Sequence, residues 1–372
     1  MPNKICVYAI CKNESQFVEK WYNSMKEADY VVVLDTGSTD DTVEKLKNLG
    51  AVVEQKTINP WRFDVARNEA MKLVPEDCNI FVSTDLDECF EPGWAQPLRD
   101  QWIEGQHQRC LYTYYLSNRF GQPSHKIFYN KIHGRGWYWK YPVHELLLRE
   151  SDNSEEMAPG QELNLSNSIV LYHYPDITKS RSSYIDLLEL RTKEDPKDFY
   201  GLYYLAVEYE KTDIKKAIET AMRGIEVSDN DFYKFIFMTY IGLQFEDLKK
   251  YEIALAYFVN AIKLCTEFRF VFLHIAKILF NQYQNYDGAY KILMDGLKHS
   301  WHHDYWFENE EGWGSDYYDL LSLSAYYSNR KSESLIFALI ASDKDKENDR
   351  LKNNIETILN QITDKEIYDY EE

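Results

Sequence analysis

No stretch of this chain approaches the roughly 18 consecutive apolar residues of a membrane-spanning helix, so no membrane span is expected. Basic residues are in the minority, with 42 Lys and Arg against 61 Asp and Glu. The resulting net charge of −19 argues against a duplex nucleic acid partner and against an electrostatic hold on anionic lipid. Six cysteines are present (Cys6, Cys11, Cys78, Cys89, Cys110 and Cys265), but none forms a CxxC pair, which speaks against a zinc site. Several lie in apolar, strand-like runs, and buried free thiols in a reducing cytoplasm fit best. The opening MPNKICVYAICKNE has too short an apolar run for a secretory leader, and it reads as a strand.

What is present supports real cores. The chain has 372 residues, of which 44% are hydrophobic, enough for two or three domains. Aromatics abound, with 30 Tyr and 9 Trp, in both halves.

The first half alternates strand and helix signals. Residues Ile5–Cys11 and Tyr30–Leu34 are continuous apolar runs, typical of strands covered on both faces in a parallel sheet. Ala51–Glu54 forms a third. The second run ends in Asp35, and Gly37 permits a tight turn there. Ser38 and Asp41 fit a capping box for a helix over Thr42–Asn48, and Gly50 closes it. This order predicts an α/β fold with an open, doubly wound sheet and right-handed crossovers. Ligands of such sheets bind at the carboxyl ends of the strands, where Asp35 lies.

Ala66–Val74 reads as a helix with Arg67 in its first turn, where a cation opposes the helix dipole unless an anion lies close by. Asn79–Ser83 is then a buried strand that runs straight into Asp85-Leu86-Asp87-Glu88. Three carboxylates this close push one another toward the protonated form, and burial adds to it. A hard divalent cation relieves both, and Mg²⁺ or Mn²⁺ typically binds through one or two carboxylates plus substrate phosphates. An isolated acidic DxD is more often a solvated turn; its setting decides.

That setting resembles a known family. DTGSTDDT, FDVARNEA and STDLDE, in this order and after an opening AICKNE, resemble the inverting nucleotide-sugar glycosyltransferases of family 2, which have the GT-A fold. The resemblance covers residues 4–100 closely and 101–175 more loosely. It implies a Rossmann-like open sheet with Asp35 on the nucleotide base and Asp85 and Asp87 on ribose and metal. It places Arg67 near the diphosphate, with Lys12, Glu14 and Asn68 also on the donor side. Within the aromatic segment Trp137–Leu147, the pair His144-Glu145 resembles the family's late HE. Glu145 is then the expected general base, and His144 or His173 an additional metal or phosphate contact. Many relatives carry a Glu-Asp pair that this chain lacks, so Glu88, Asp64 and Glu91 stand as rival bases. Each histidine has a purely structural role as its alternative.

Residues Ser151–Asn167 read as an exposed loop. After Pro175 helical periodicity takes over. Three stretches (199–227, 235–264 and 270–297) each read as two helices, with Ala217, Ala254 and Ala289 in equivalent places. Their spacing is close to the tetratricopeptide (TPR) period of about 34 residues, which predicts a TPR-like stack of helix pairs. A fourth pair is expected over Tyr317–Ser342, after a Trp-rich insertion, Trp301–Trp313. A charged helix and an acidic end follow over Asp343–Glu372. The domains expected are a catalytic one over 1–178 and a helical-repeat one over 179–372. The repeats would hold an acceptor or pair with a second copy of the chain, or else only buttress the catalytic domain.

The expectation is a glycosyltransferase dependent on Mn²⁺ or Mg²⁺. It would move a sugar from a nucleotide sugar, a UDP-sugar in first place, to a hydroxyl or thiol of a peptide, protein or glycan. A nucleotidyltransferase would share the strand-end carboxylates, but it would carry a Gly-rich basic loop after the first strand, where this chain has Cys11-Lys12-Asn13-Glu14. A repeat scaffold with an inactive GT-A domain is the remaining alternative.

Overall fold

The computed structural model describes residues 2–118, 120–176, 184–302, 307 and 309–362. The chain forms two compact units, Met1–Glu194 and Asp195–Glu372.

Unit 1 is built on strands β1 (Ile5–Cys11), β2 (Tyr30–Asp35), β3 (Val52–Gln55) and β4 (Ile80–Thr84). They run parallel in the order β3-β2-β1-β4, with α1 (Val18–Met25), α2 (Thr42–Leu49) and α3 (Phe63–Met71) in the crossovers. Every residue of β1 is buried, because its two faces meet different helices. Ile5, Val7 and Ala9 pack with Val18 and Trp21 of α1, whereas Cys6, Tyr8 and Ile10 pack with Ala66 and Ala70 of α3. A continuous apolar run is what such a position requires. The strand order reverses between β1 and β4, so their carboxyl ends open a crevice of the kind in which α/β sheets bind ligands.

The second half of the sheet departs from the parallel pattern. After β5 (Glu88–Phe90) and α4 (Ala95–Gln101) come β6 (Arg109–Ser117) and β7 (Pro123–His133). A separate hairpin, β8 (Trp137–Lys140) with β9 (Leu146–Arg149), is followed by β10 (Glu162–Asn164) and β11 (Val170–His173). The sheet continues from β4 as β7-β6-β11-β5, with β7 antiparallel to β4. The fold is therefore a mixed α/β sheet, parallel only in its first half. Part of the loop expected over Ser151–Asn167 is strand, since β10 pairs with β6.

Two local expectations are corrected. Helix α3 begins at Phe63, so Arg67 lies beyond its first turn. No capping box forms at α2: its N-cap Asp41 makes no side-chain cap bond, and Ser38 Oγ instead accepts from the Asn13 N–H at 2.8 Å. Gly50 does close α2, in the left-handed region at φ 105°.

Helix α5 (Tyr184–Glu194) belongs to unit 1, so the division falls at Glu194/Asp195 and not at 178/179. Arg191 explains why. Its side chain is buried, stacks 4.0 Å from the centre of the Tyr141 ring and donates to the carbonyls of Val143 (3.0 Å) and His144 (2.5 Å).

Unit 2 is helical among its described residues. Its pairs are α6 (Phe199–Glu210) with α7 (Ile214–Val227), α8 (Asp231–Asp247) with α9 (Tyr251–Leu264), α10 (Arg269–Asn281) with α11 (Tyr286–His299), and α12 (Ser315–Tyr327) with α13 (Lys331–Lys344). Helix α14 (Asp349–Leu359) follows. Ala217, Ala254 and Ala289 are fully buried early in the second helix of their pairs, where a small side chain allows close packing. Asp213, Asn230 and Asn285 cap α7, α8 and α11 through their side chains. Parts of the Trp-rich insertion (303–306 and 308) and of the acidic end (363–372) lie outside the described residues.

Candidate active site

The carboxyl ends of β2 and β4 carry the acidic residues. Asp35 ends β2 and is fully buried. It accepts the N–H groups of Gly37 at 3.3 Å and Ser38 at 3.1 Å, and the Gln55 side-chain amide at 3.1 Å. Burial pushes its carboxyl up, but the hydrogen bonds from Ser38 and Gln55 outweigh that and leave it below its ordinary value. Beside it, the loop after β1 is tied down: Asn13 Oδ1 accepts the Thr39 N–H at 2.7 Å, and the Glu14 N–H donates to Thr42 Oγ1 at 2.9 Å. Lys12 is exposed.

The acidic turn after β4 is held by cations. Arg67 is 5% exposed, and its Nη2 lies 2.8 and 3.1 Å from the two oxygens of Asp85. Its Nε donates to Glu145 Oε1. Lys131, from β7, places its Nζ 3.7 Å from Asp85 and 3.9 Å from Glu88. Burial pushes the Asp85 carboxyl up, but the charges of Arg67 and Lys131 more than reverse this and hold it down at about 2. The mutual protonation expected of the acidic turn therefore fails at Asp85. It holds at Glu88, where burial and the nearby Asp85 and Asp87 charges raise the carboxyl despite Lys131. Tyr114 donates to Glu88 at 2.9 Å.

Asp87 faces a different partner. Its Oδ2 lies 3.3 Å from His173 Nε2, and its carbonyl accepts the Tyr174 N–H at 2.7 Å. Adjacent ligands of an octahedral ion at about 2.1 Å are about 3.0 Å apart, so these two donors fit one Mg²⁺ or Mn²⁺. Among the described residues no group of three or more His, Cys, Asp or Glu forms a complete cage.

The anions that answer Arg67 are the protein's own, Asp85 and Glu145. Asn68 is engaged with backbone: its amide donates to the Trp139 carbonyl at 2.7 Å and accepts the Trp139 N–H at 2.8 Å, which holds β8 to α3. The His144 backbone adopts φ +48°, and its ring packs edge-on against Tyr184 at 5.9 Å. The ring nitrogen beside Asp87 belongs to His173. Each rival base has its own partner, Asp64 with Arg62 at 2.8 Å, Glu91 with the Tyr172 hydroxyl at 2.5 Å, and Glu88 with Tyr114 and Lys131. Lys131 and Arg191 were missed by sequence reasoning.

Residues 6–154 match the model of the family described as glycosyl transferase family 2. An uncharacterized glycosyltransferase of Rickettsia prowazekii (strain Madrid E) is 46% identical over 116 residues, 30% of this chain and 37% of that protein. One of Rickettsia conorii (strain ATCC VR-613 / Malish 7) is 45% identical over 119 residues, 31% of this chain and 39% of that protein. The chain thus spans less than half the length of these curated relatives. Among solved structures, MamA is similar at 14% identity and a TM-score of 0.36, covering 44% of this chain and 88% of MamA. YrrB, a TPR protein, is similar at 12% identity and a TM-score of 0.38, covering 47% of this chain and 82% of YrrB. Over residues 6–154, then, the N-terminal unit of this chain is similar to glycosyl transferase family 2.

Proposed function

We propose that unit 1 is a metal-dependent, inverting glycosyltransferase that uses a nucleotide-sugar donor, a UDP-sugar first among them. The observation that carries this reading is Arg67, which joins Asp85, on the donor side, to Glu145, the proposed base. Asp35 would receive the base of the nucleotide and Asp85 the ribose, with Lys12 and Glu14 at the rim. Asp87 and His173 would hold Mn²⁺ or Mg²⁺, and a bound ion would neutralise charge on the leaving diphosphate.

The chemistry is a single displacement. Glu145 takes the proton of an acceptor hydroxyl or thiol, and the freed oxygen or sulfur bonds to the anomeric carbon. The bond from that carbon to the diphosphate oxygen breaks on the opposite face, and the nucleoside diphosphate leaves. Unit 2 would hold a peptide, protein or glycan acceptor, which makes the attack effectively intramolecular. No helix of the described residues is long and apolar enough to cross a membrane. All six cysteines are free thiols, in keeping with work in the cytoplasm.

The test is nucleotide release from a panel of nucleotide sugars, with and without Mn²⁺, beside Asp87→Ala and Glu145→Ala. Metal-dependent release from one donor, abolished in Asp87→Ala, is the expected result. Absence of release and of any UDP-induced stabilisation with every donor would sink the reading. Full transfer to an acceptor by Glu145→Ala would remove that residue as the base.

A further inference from the structure

The turn after β4 closes on itself between two carboxylates. The Asp85 N–H donates to Glu88 Oε2 at 3.0 Å, and the Glu88 N–H donates to the Asp85 carbonyl at 3.1 Å. Glu88 is 1% exposed and Asp85 half-buried, and one short turn holds both carboxylates. Lys131 stands between the two, with its Nζ at 3.7 and 3.9 Å. Its side chain is only 11% exposed and rests against the Tyr129 ring, 4.9 Å from the ring centre. This is not a lysine of a solvated face. It comes from β7, the strand beside β4, and it reaches both ends of a turn whose middle is Asp87.

We propose that Lys131 is a positioning residue for the donor: its ammonium clamps Asp85 and Glu88 together, so that the turn presents Asp87 to the donor diphosphate and its cation. The inference rests on the glycosyltransferase reading of unit 1. Lys131 acts through the turn and not on the reacting atoms. A compact point charge with three rotatable donors suits a site between two carboxylates. Removing the ammonium leaves two close carboxylates to repel each other, which spreads the turn and misplaces Asp87. Removing one of those charges as well takes away the need for the clamp.

The experiment titrates UDP with Mn²⁺ against the full-length protein and its Lys131→Met, Lys131→Arg and Lys131→Met/Glu88→Gln variants. Lys131→Met is expected to bind UDP at least about tenfold more weakly, within the range of coupling seen between touching charged residues. Lys131→Arg should keep most of the affinity, and the double variant should regain it. In turnover the loss in Lys131→Met should fall on the donor KM and not on kcat. A folded Lys131→Met that binds UDP like the wild type would overturn the proposal. So would a double variant that fails to fold, or that folds without regaining affinity, since that would put Lys131 directly on the ligand or in a purely structural role. The double variant decides the matter if Lys131→Met alone does not fold. A wild-type protein that binds no UDP would overturn the glycosyltransferase reading itself. Binding that is equal in wild type and Lys131→Met would overturn only the clamp.

Discussion

Arg67 grips Asp85 with one nitrogen set 2.8 and 3.1 Å from the two carboxylate oxygens, while a second nitrogen of the same guanidinium holds Glu145. The three residues come from α3, from the turn after β4 and from the connection between β8 and β9. One buried cation therefore ties together parts of the chain distant in sequence, and two carboxylates depend on it.

Replacing Arg67 by Ala takes the guanidinium from the buried Glu145 and leaves Asp85 to Lys131. The expected loss is about 3–5 kcal/mol of unfolding free energy, the range for breaking one side of a buried ion pair. Urea unfolding measures it. Arg67→Lys should fall between, because it keeps the charge but cannot reach two carboxylates with separate nitrogens. An Arg67→Ala protein as stable as the wild type would contradict this.

Gly224 of α7 tests the helix packing of unit 2. A Cβ there would lie 2.3 Å from the Phe237 ring of α8, too close for any real contact. Gly224→Ala gains helix propensity but overpacks a buried seam, and about 1–3 kcal/mol of destabilisation is expected. The two-unit division adds a second expectation. Thermal unfolding should show the loss in the transition of unit 2, with UDP binding by unit 1 unchanged.

The strand ends were legible because each apolar run stops at a charged residue, as with Leu34 before Asp35 and Thr84 before Asp85. The helix pairs were legible from the recurring Ala217, Ala254 and Ala289. What stayed hidden arrives by long-range pairing. Lys131 reaches the acidic turn only because β7 runs antiparallel to β4, and nothing in the sequence around Lys131 announces that partner. Arg191 falls in sequence that reads only as helical, yet it is fully buried against the Val143–His144 backbone. The low carboxyl of Asp85 was hidden for the same reason. Adjacent acids are visible in sequence, but the two cations that answer them come from α3 and β7.

His133 supplies a pH prediction. It is fully buried; its Nε2 lies 2.8 Å from the Tyr8 hydroxyl, and its Nδ1 lies 2.7 Å from the Gly134 carbonyl. Burial pushes its imidazolium down to about 4, from an ordinary value of 6.5. Above pH 6.5 the ring is neutral in both folded and unfolded chains and has no effect. Below it the unfolded chain takes up the proton first, so stability falls with pH until about 4, where the folded state is protonated too. The loss over that window is about 3 kcal/mol. Unfolding free energies of wild type and His133→Gln, measured from pH 7 to pH 4, should therefore converge as pH falls. Parallel curves would show that His133 takes its proton readily in the fold.

Arg191 should separate acceptor chemistry from donor binding. Its guanidinium donates to the Val143 and His144 carbonyls, directly before Glu145 in the chain, while Asp35 and the acidic turn lie on other elements. Arg191→Met keeps much of the side-chain volume over Tyr141 but takes this donor from the buried Val143 carbonyl, at about 1–3 kcal/mol, and from the half-buried one of His144. The backbone at Val143–His144 would loosen, and Glu145 with it. Transfer to an acceptor should fall at least about tenfold, since small displacements of a reacting group reduce rates steeply. UDP binding with Mn²⁺ should stay within about twofold of the wild type, because Asp85 keeps both Arg67 and Lys131. A matching loss of UDP affinity would mean that the Val143–Glu145 segment supports the donor site and not the base.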